Sequence, residues 1–268
     1  MQTTSFDSTR EMLVERHETI CMQTSSQELS PAMEALYLQQ LEALKDTTYK
    51  IDRGIRDIAQ EVDMNVGEFE QLLEGKSVLD IGCGVGKFAV EAARKAKRSQ
   101  ITALDINPDN LDRVQKRRNV RTVLGSGLNL QESIGDEEFD IVISSFSTLL
   151  WAETAKDKHD SIQSAFDATK VGGKTFFIPV ISNVAYRDAV VEQIANGSVD
   201  KNQRLSEYDR MSIIASTMAT VIMDRVTMDE LLDLETKDQA QLSFRAARSN
   251  SVGDLTQERY SCILTRLA

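Results

Sequence analysis

The chain has 268 residues, 41% of them apolar and 27% charged, with 13 Gly and 3 Pro. That is room for one large domain or for one domain with an appendage, and the composition excludes collagen-like and linker-dominated chains. The net charge of −11, from 31 basic against 42 acidic residues, opposes broad phosphate binding and favours a small-molecule partner over nucleic acid.

No apolar run approaches the ~18 residues of a membrane-spanning helix, and the opening MQTTSFDSTREMLVERHE has no apolar signal segment. Cys21, Cys83 and Cys262 are too scattered for a disulfide framework or a metal site, which suits a reducing compartment. A cytoplasmic protein without membrane attachment, metal or disulfide is therefore expected.

The elements follow in chain order. The first ~27 residues are polar, with poor order expected at the start. Ser30 is placed to cap a helix opened by Pro31. Met33, Leu36, Tyr37, Leu41 and Leu44 then form an apolar stripe at three- and four-residue spacing. A second stripe runs through Ile51, Ile55, Ile58 and Val62, and a short helix is expected over 66–73, ending at Gly75.

At Ser77 the pattern changes. Strands are expected at 77–81, 101–106, 120–125, 139–146 and 174–180, with helices at 88–98, 109–118 and 159–169 between them. Gly172-Gly173 reads as the turn into the fifth strand. Alternating strands and helices imply parallel βαβ units and a doubly wound sheet. The alternation stops after Val180. Helices are expected over 184–233, then two strands, 241–249 and 259–267, joined without a helix and therefore antiparallel. The reading divides the chain into a helical extension or lid at 1–75 and a core domain at 76–268, with a helical insert at about 184–235.

The segment Val78-Leu79-Asp80-Ile81-Gly82-Cys83-Gly84-Val85-Gly86 carries the chemistry. A buried strand ends beside an acid, then breaks into a glycine-spaced turn before a helix. Glycine lets backbone pass close to a ligand and adopt positive φ, and the following helix offers free N–H groups. The spacing is one residue short of a nucleotide P-loop, with Phe88 where Ser or Thr is needed. It is also G-x-G-x-G rather than the G-x-G-x-x-G of dinucleotide folds.

The D-I-G-C-G-x-G pattern resembles motif I of the class I S-adenosylmethionine-dependent methyltransferases, and the resemblance covers residues ~75–180 and extends to the C-terminal strand pair. It implies a Rossmann-like three-layer α/β sandwich with a seven-stranded sheet in the order 3-2-1-4-5-7-6, strand 7 antiparallel. It also implies S-adenosyl-L-methionine as cofactor, held around Asp80, Gly82, Cys83, Gly84 and Gly86. Asp105 ends the second strand, where a carboxylate can accept from ribose hydroxyls, and Ile106 would pack on the adenine.

After the third strand the family usually carries G-D-A. Here Gly125-Ser126-Gly127-Leu128 stands instead, so the adenine contact falls to Ser126 or to the backbone of Gly127 or Leu128. Ser144 and Ser145, ending the fourth strand, would line the methionine end. The N-P-P-Y of base-modifying relatives is absent, which argues against base N-methylation. Trp151 lies just beyond, either walling a pocket or packing in the core. No general base is evident, so no catalytic residue is assigned. His159, among charged neighbours, reads as part of a solvated face.

The expected function is methyl transfer from S-adenosylmethionine to a small-molecule acceptor. The alternatives are a protein that binds the cofactor without transfer, or an RNA or protein methyltransferase. The apolar residues Leu36, Tyr37, Leu41, Tyr49 and Ile51, with Tyr208, Met211, Ile214 and Met218, are expected to cover the cleft as a lid; the alternative is that these helices pack on the sheet flank or form a dimer interface.

Overall fold

Side chains alternate between the two faces of a strand, and that period sorts the core into two layers. In a computed structural model, which describes residues 9–15, 53–182, 223–246 and 259–268 with positions 31, 35, 38 and 39, seven strands form one sheet. They are β1 (Ser77–Ile81), β2 (Gln100–Asp105), β3 (Val120–Leu124), β4 (Phe139–Ser145), β5 (Thr169–Ser182), β6 (Ala240–Ala246) and β7 (Arg259–Arg266).

Leu79 and Ile81 of β1, Val142 of β4, Phe177 of β5 and Leu264 of β7 point into one apolar cluster. Their neighbours Val78, Ile141, Ile143, Phe176, Ile178 and Ile263 point into the other. The first cluster is closed by Leu13 of the helical residues 9–15, by Ile162, Ala165 and Phe166 of the helix Ala155–Asp167, and by Met228, Leu231 and Leu234 of the helix 223–236. The second is closed by the helices Ile55–Glu61, Val66–Leu73 and Lys87–Lys95. Phe69 is at its centre, edge-on to Phe176 with ring centroids 5.9 Å apart.

The strand order is β3-β2-β1-β4-β5-β7-β6. Pairs from β3 through β5 are parallel, and β7 runs antiparallel to both β5 and β6. The Rossmann-like sandwich with an antiparallel seventh strand is therefore as expected. The order reverses between β1 and β4, and in open α/β sheets ligands bind outside the carboxyl ends of the strands at such a point.

Three element boundaries differ from the sequence reading by four residues or more. The helix expected over 109–118 is Pro108–Arg113, because Val114 leaves the helix and buries itself, its side chain lying where a Cβ on Gly86 would reach. The helix expected from 159 starts at Ala155, where Thr154 and Asp157 cap each other reciprocally.

The fifth strand starts at Thr169, opposite Phe139, and a register shift follows before Ile141 pairs with Lys174. Gly172 has φ +77°, and a Cβ on Gly173 would lie 2.8 Å from the Lys170 carbonyl oxygen. The glycine pair is thus a bulge within the strand rather than a turn before it.

Ile55, Ile58, Ala59, Val62, Phe69 and Leu73 are buried against the sheet. Leu36, Tyr37, Leu41, Tyr49, Ile51, Tyr208, Met211, Ile214 and Met218 lie outside the described residues. No helix among the described residues is long and apolar enough to cross a membrane.

Candidate functional site

At the carboxyl ends of β1, β2 and β4 the chain makes three turns that approach each other closely. Gly82 follows β1 with φ +69°, and a Cβ there would lie 2.4 Å from the Cβ of Ser147, so the turns after β1 and β4 touch at this glycine. The N–H groups of Gly82 and Cys83 both donate to the Leu104 carbonyl, at 2.8 and 2.9 Å, which fixes the turn against β2. Gly127, after β3, is pressed in the same way, its Cβ position 2.2 Å from the Thr148 hydroxyl.

Gly84 is different. Its φ is +54° and a Cβ there would meet nothing within 4 Å. This glycine faces open space.

That space is a cleft of about 480 Å³, within the usual range of small-molecule and cofactor sites. Of the residues singled out in the sequence, Asp80, Gly82, Cys83, Gly84, Asp105, Ile106, Ser126, Gly127, Leu128 and Ser145 line it. Two stand behind the lining. Gly86, at φ +77°, is the N-cap of the helix Lys87–Lys95. The buried Ser144 hydroxyl shares a hydrogen bond of 2.9 Å with Ser147.

Asp105 is 7% exposed. Its Oδ2 accepts from the Gly84 N–H at 2.8 Å, and its Oδ1 accepts from the Asn107 N–H at 2.8 Å and from the Asn110 side chain at 3.3 Å. A carboxylate has about four lone-pair positions, so Oδ2 keeps one for a ligand while the others brace the glycine turn and the next helix. Ile106 beside it is 69% exposed, which leaves an apolar face at the cleft. The Ser126 hydroxyl accepts from the Leu128 N–H at 3.2 Å, so this serine shapes its own loop.

The wall opposite Asp105 follows β4. Phe146 has φ +50°, a region non-glycine residues rarely occupy. It is held there from three sides. Its N–H donates to the Ile178 carbonyl, its own carbonyl accepts from the Trp151 indole N–H at 2.9 Å, and the Arg53 guanidinium lies 3.4 Å above its ring centroid. Arg53, Phe146, Trp151, Glu153 and Asp157 all line the cleft.

Arg53 carried no signal in the sequence. It enters because the helix Ile55–Glu61 is docked by Glu91, whose carboxylate accepts from the Ile55 N–H at 2.9 Å, an acid at a helix N-terminus. Trp151 lines the cleft, and its indole also braces the turn at Phe146.

Three features suit a ligand carrying an adenosyl group and a charged amino-acid end. There is space over Gly84. There is a free acceptor position on Asp105. And the buried Ser145 hydroxyl has no hydrogen-bond partner among the described residues, which a polar ligand atom would satisfy. The residues present therefore fit S-adenosylmethionine.

His159 lies outside the lining and contacts Glu230 at 2.7 Å. Among the described residues no group of three or more His, Cys, Asp or Glu is arranged to hold a metal ion, and Cys83 and Cys262 are buried.

Residues 78–173 match the family model described as a methyltransferase domain. The chain is 30% identical over 104 residues to the cypemycin N-terminal methyltransferase of a Streptomyces species, over 39% of this chain and 42% of that one. It is 26% identical over 131 residues to phosphoethanolamine N-methyltransferase 3 of Arabidopsis thaliana, over 47% of this chain and 26% of that one. The chain thus spans less than half the length of these curated relatives. Among solved structures, the plantazolicin methyltransferase BpumL in complex with a triazolic desmethylPZN analog and SAH superposes with a TM-score of 0.51 at 11% identity, over 95% of this chain and 99% of that one. That likeness concerns the fold.

Proposed function

We propose that this chain, whose residues 78–173 match the methyltransferase-domain model, binds S-adenosylmethionine in the cleft and transfers its methyl group to a small-molecule acceptor. The observation that carries the reading is the glycine turn itself: Gly84 faces open space at φ +54° while its N–H is tied to the Asp105 carboxylate. A turn that serves only to connect β1 to its helix has no need of such space. The curated relatives' names support the reaction class, and they name unlike acceptors.

Bound S-adenosylmethionine supplies a methyl on a sulfonium, already an excellent leaving group. The chain's part is then to bind, orient and exclude water. Asp105 would accept from the ribose hydroxyls, and Ile106 would cover one face of the adenine. Ser126, Gly127 and Leu128 would bound the adenine end. Asp80 and Ser145 would serve the methionine end, and Phe146 and Trp151 would wall the side from which an acceptor enters. A proton needs removing only from an acceptor that carries one, and no residue is assigned that role.

Calorimetric titration with S-adenosylmethionine and S-adenosylhomocysteine, followed by an acceptor screen that detects released S-adenosylhomocysteine, tests the proposal. Binding of both at one site with release on a small organic acceptor is the expected result. Binding without release on any acceptor would favour a cofactor-binding protein that does not transfer, and absence of binding would overturn the reading.

The acceptor side also carries the lid proposal. Of the extension read as a lid over residues 28–73, the helices Ile55–Glu61 and Val66–Leu73 pack against the sheet, so the lid falls to the apolar stripe of residues 28–52 and to the insert, which would close over Phe146 and Trp151. S-adenosylhomocysteine should then slow amide exchange in 30–52 and 205–220 as well as in 82–86. Protection confined to 82–86, 105–107 and 125–128 would mean an open cleft and a macromolecular acceptor.

A further inference from the structure

The cleft wall Thr148–Trp151 is a helix of only 4 residues, too short to bond its own last carbonyls. One of those carbonyls has a partner that the cofactor reading does not use. Lys158, in the helix Ala155–Asp167, is 5% exposed, and its ammonium donates to the Leu149 carbonyl at 2.6 Å. A lysine is rarely buried this deeply. Here it supplies a cation at a helix C-terminus, where the helix dipole favours one.

Leu149 packs in the core between residues that face the cleft on either side, Thr148 before it and Trp151 and Ala152 after it. The Trp151 indole in turn holds the carbonyl of Phe146 in its left-handed conformation. One chain of contacts therefore runs from the Lys158 ammonium through the Leu149 carbonyl and Trp151 to Phe146.

We propose that Lys158 is a positioning residue whose ammonium holds the Thr148–Trp151 wall in the shape that closes the cleft around its ligand. The effect on ligand affinity rests on the cofactor reading above; the effect on the wall does not.

Among the described residues, the groups that face Lys158 can be named. Thr148–Trp151 carries no charged side chain. On the helix 223–236, Asp224 favours the ammonium. On the lysine's own helix, Asp157 is engaged with Thr154 and Asp160 with Lys156. Burial outweighs Asp224 and brings the Lys158 amine down to about 8 from 10.5, so its charge is lost within the range where the protein can be handled. The neutral amine makes a weaker bond to the carbonyl than the ammonium does.

Trp151 is the only tryptophan in the chain, so its fluorescence reads the wall directly. The expected result is that wild-type emission shifts to the red between about pH 7 and about pH 9.5, with its midpoint near the lysine's ionisation. S-adenosylhomocysteine should bind about fivefold or more weakly above that transition. Lys158→Met should show the high-pH emission throughout, while circular dichroism confirms that it is folded.

Should Lys158→Met fail to fold, the wild-type titration decides. The Cys83 thiol lines the same cleft, so Cys83→Ser is titrated in parallel. A flat wild-type emission overturns the proposal. So does a transition that survives in Lys158→Met and vanishes in Cys83→Ser. If the emission shifts as expected while S-adenosylhomocysteine does not bind at any pH, the cofactor reading fails and the positioning role stands.

Discussion

At the scale of single residues, Gly84 and Asp105 make opposite demands. Gly84 has room for a side chain but the wrong backbone for one, at φ +54°. Gly84→Val should leave a folded protein destabilised by about 1–2 kcal/mol from that conformation alone and should place two methyl groups where the adenosyl moiety must lie. Calorimetry with S-adenosylhomocysteine should show affinity reduced by at least about tenfold, and a dissociation constant within about twofold of wild type would sink the assignment. Asp105→Ala removes a charged acceptor, with an expected loss of roughly 1.5–3 kcal/mol in binding, and also frees the Gly84 N–H. Asp105→Asn retains one acceptor oxygen, so a ribose role places it between wild type and alanine in the same titration. Gly84 was legible because its geometry is local, with strand, acid, glycine turn and helix within about ten residues, and Asp105 because an acid ending the next strand about 20 residues on suits a ribose. Arg53 and the left-handed Phe146 were not legible, because both are set by packing contacts without a sequence signature, namely Glu91 for the helix after Arg53, and the nearby Trp151 and the distant Ile178 around Phe146.

Elements were read well where their ends are marked by local chemistry and poorly where packing ends them. The helix Val66–Leu73 begins at a capping Asn65 and is followed by Gly75 at φ +74°, both visible in the sequence. The helix Pro108–Arg113 stops before a run of charged residues that continues a helical composition, and only the burial of Val114 explains the stop. The other ends of the strands are tied by Asp140 of β4. Its Oδ2 accepts from the N–H and hydroxyl of Ser77 in β1, at 2.8 and 2.7 Å, and from Lys170 in β5 at 3.2 Å. Burial pushes this carboxyl up, but the Ser77 donors and the Lys170 ammonium outweigh it and hold it below its usual 3.8. A carboxyl lowered on folding stabilises the protein above its unfolded value, and that stabilisation is lost as pH falls through the folded one. Asp140→Asn should therefore cost about 1–2 kcal/mol in urea unfolding at neutral pH, and the gap to wild type should narrow below pH ~3.8. A gap that is constant with pH would show that Asp140 acts through packing rather than charge.

Across the whole molecule, the parallel sheet and its antiparallel C-terminal pair followed from one change of texture, from alternating strand and helix to a strand pair without a helix between them, while the strand order was what the resemblance to class I methyltransferases implied. The two helical layers against the two faces of the strands came from the structure, since the strands read only as continuous apolar runs. What the pattern could not reveal is a charged residue inside one of those layers, because Lys158 sits among Lys156, Asp157, His159 and Asp160 and reads as surface. Its burial has a consequence for global stability with a definite sign. An amine whose folded value is about 8 against 10.5 opposes folding most strongly below pH 8, where both states are protonated and only the folded one holds the charge in an apolar layer. Between about 8 and 10.5 the folded protein gives up its proton before the unfolded chain does, so stability rises with pH across that window. Relative to Lys158→Met, which has no such group, wild-type unfolding free energy should gain on the order of 3 kcal/mol from pH 8 to pH 10.5, measured by urea titration of both proteins at matched ionic strength. A lysine that had been exposed would leave the difference flat. A rise in stability over the pH range in which Trp151 emission moves would show that the ammonium destabilises the fold while ordering the cleft, a trade found where a site needs a group the core would reject.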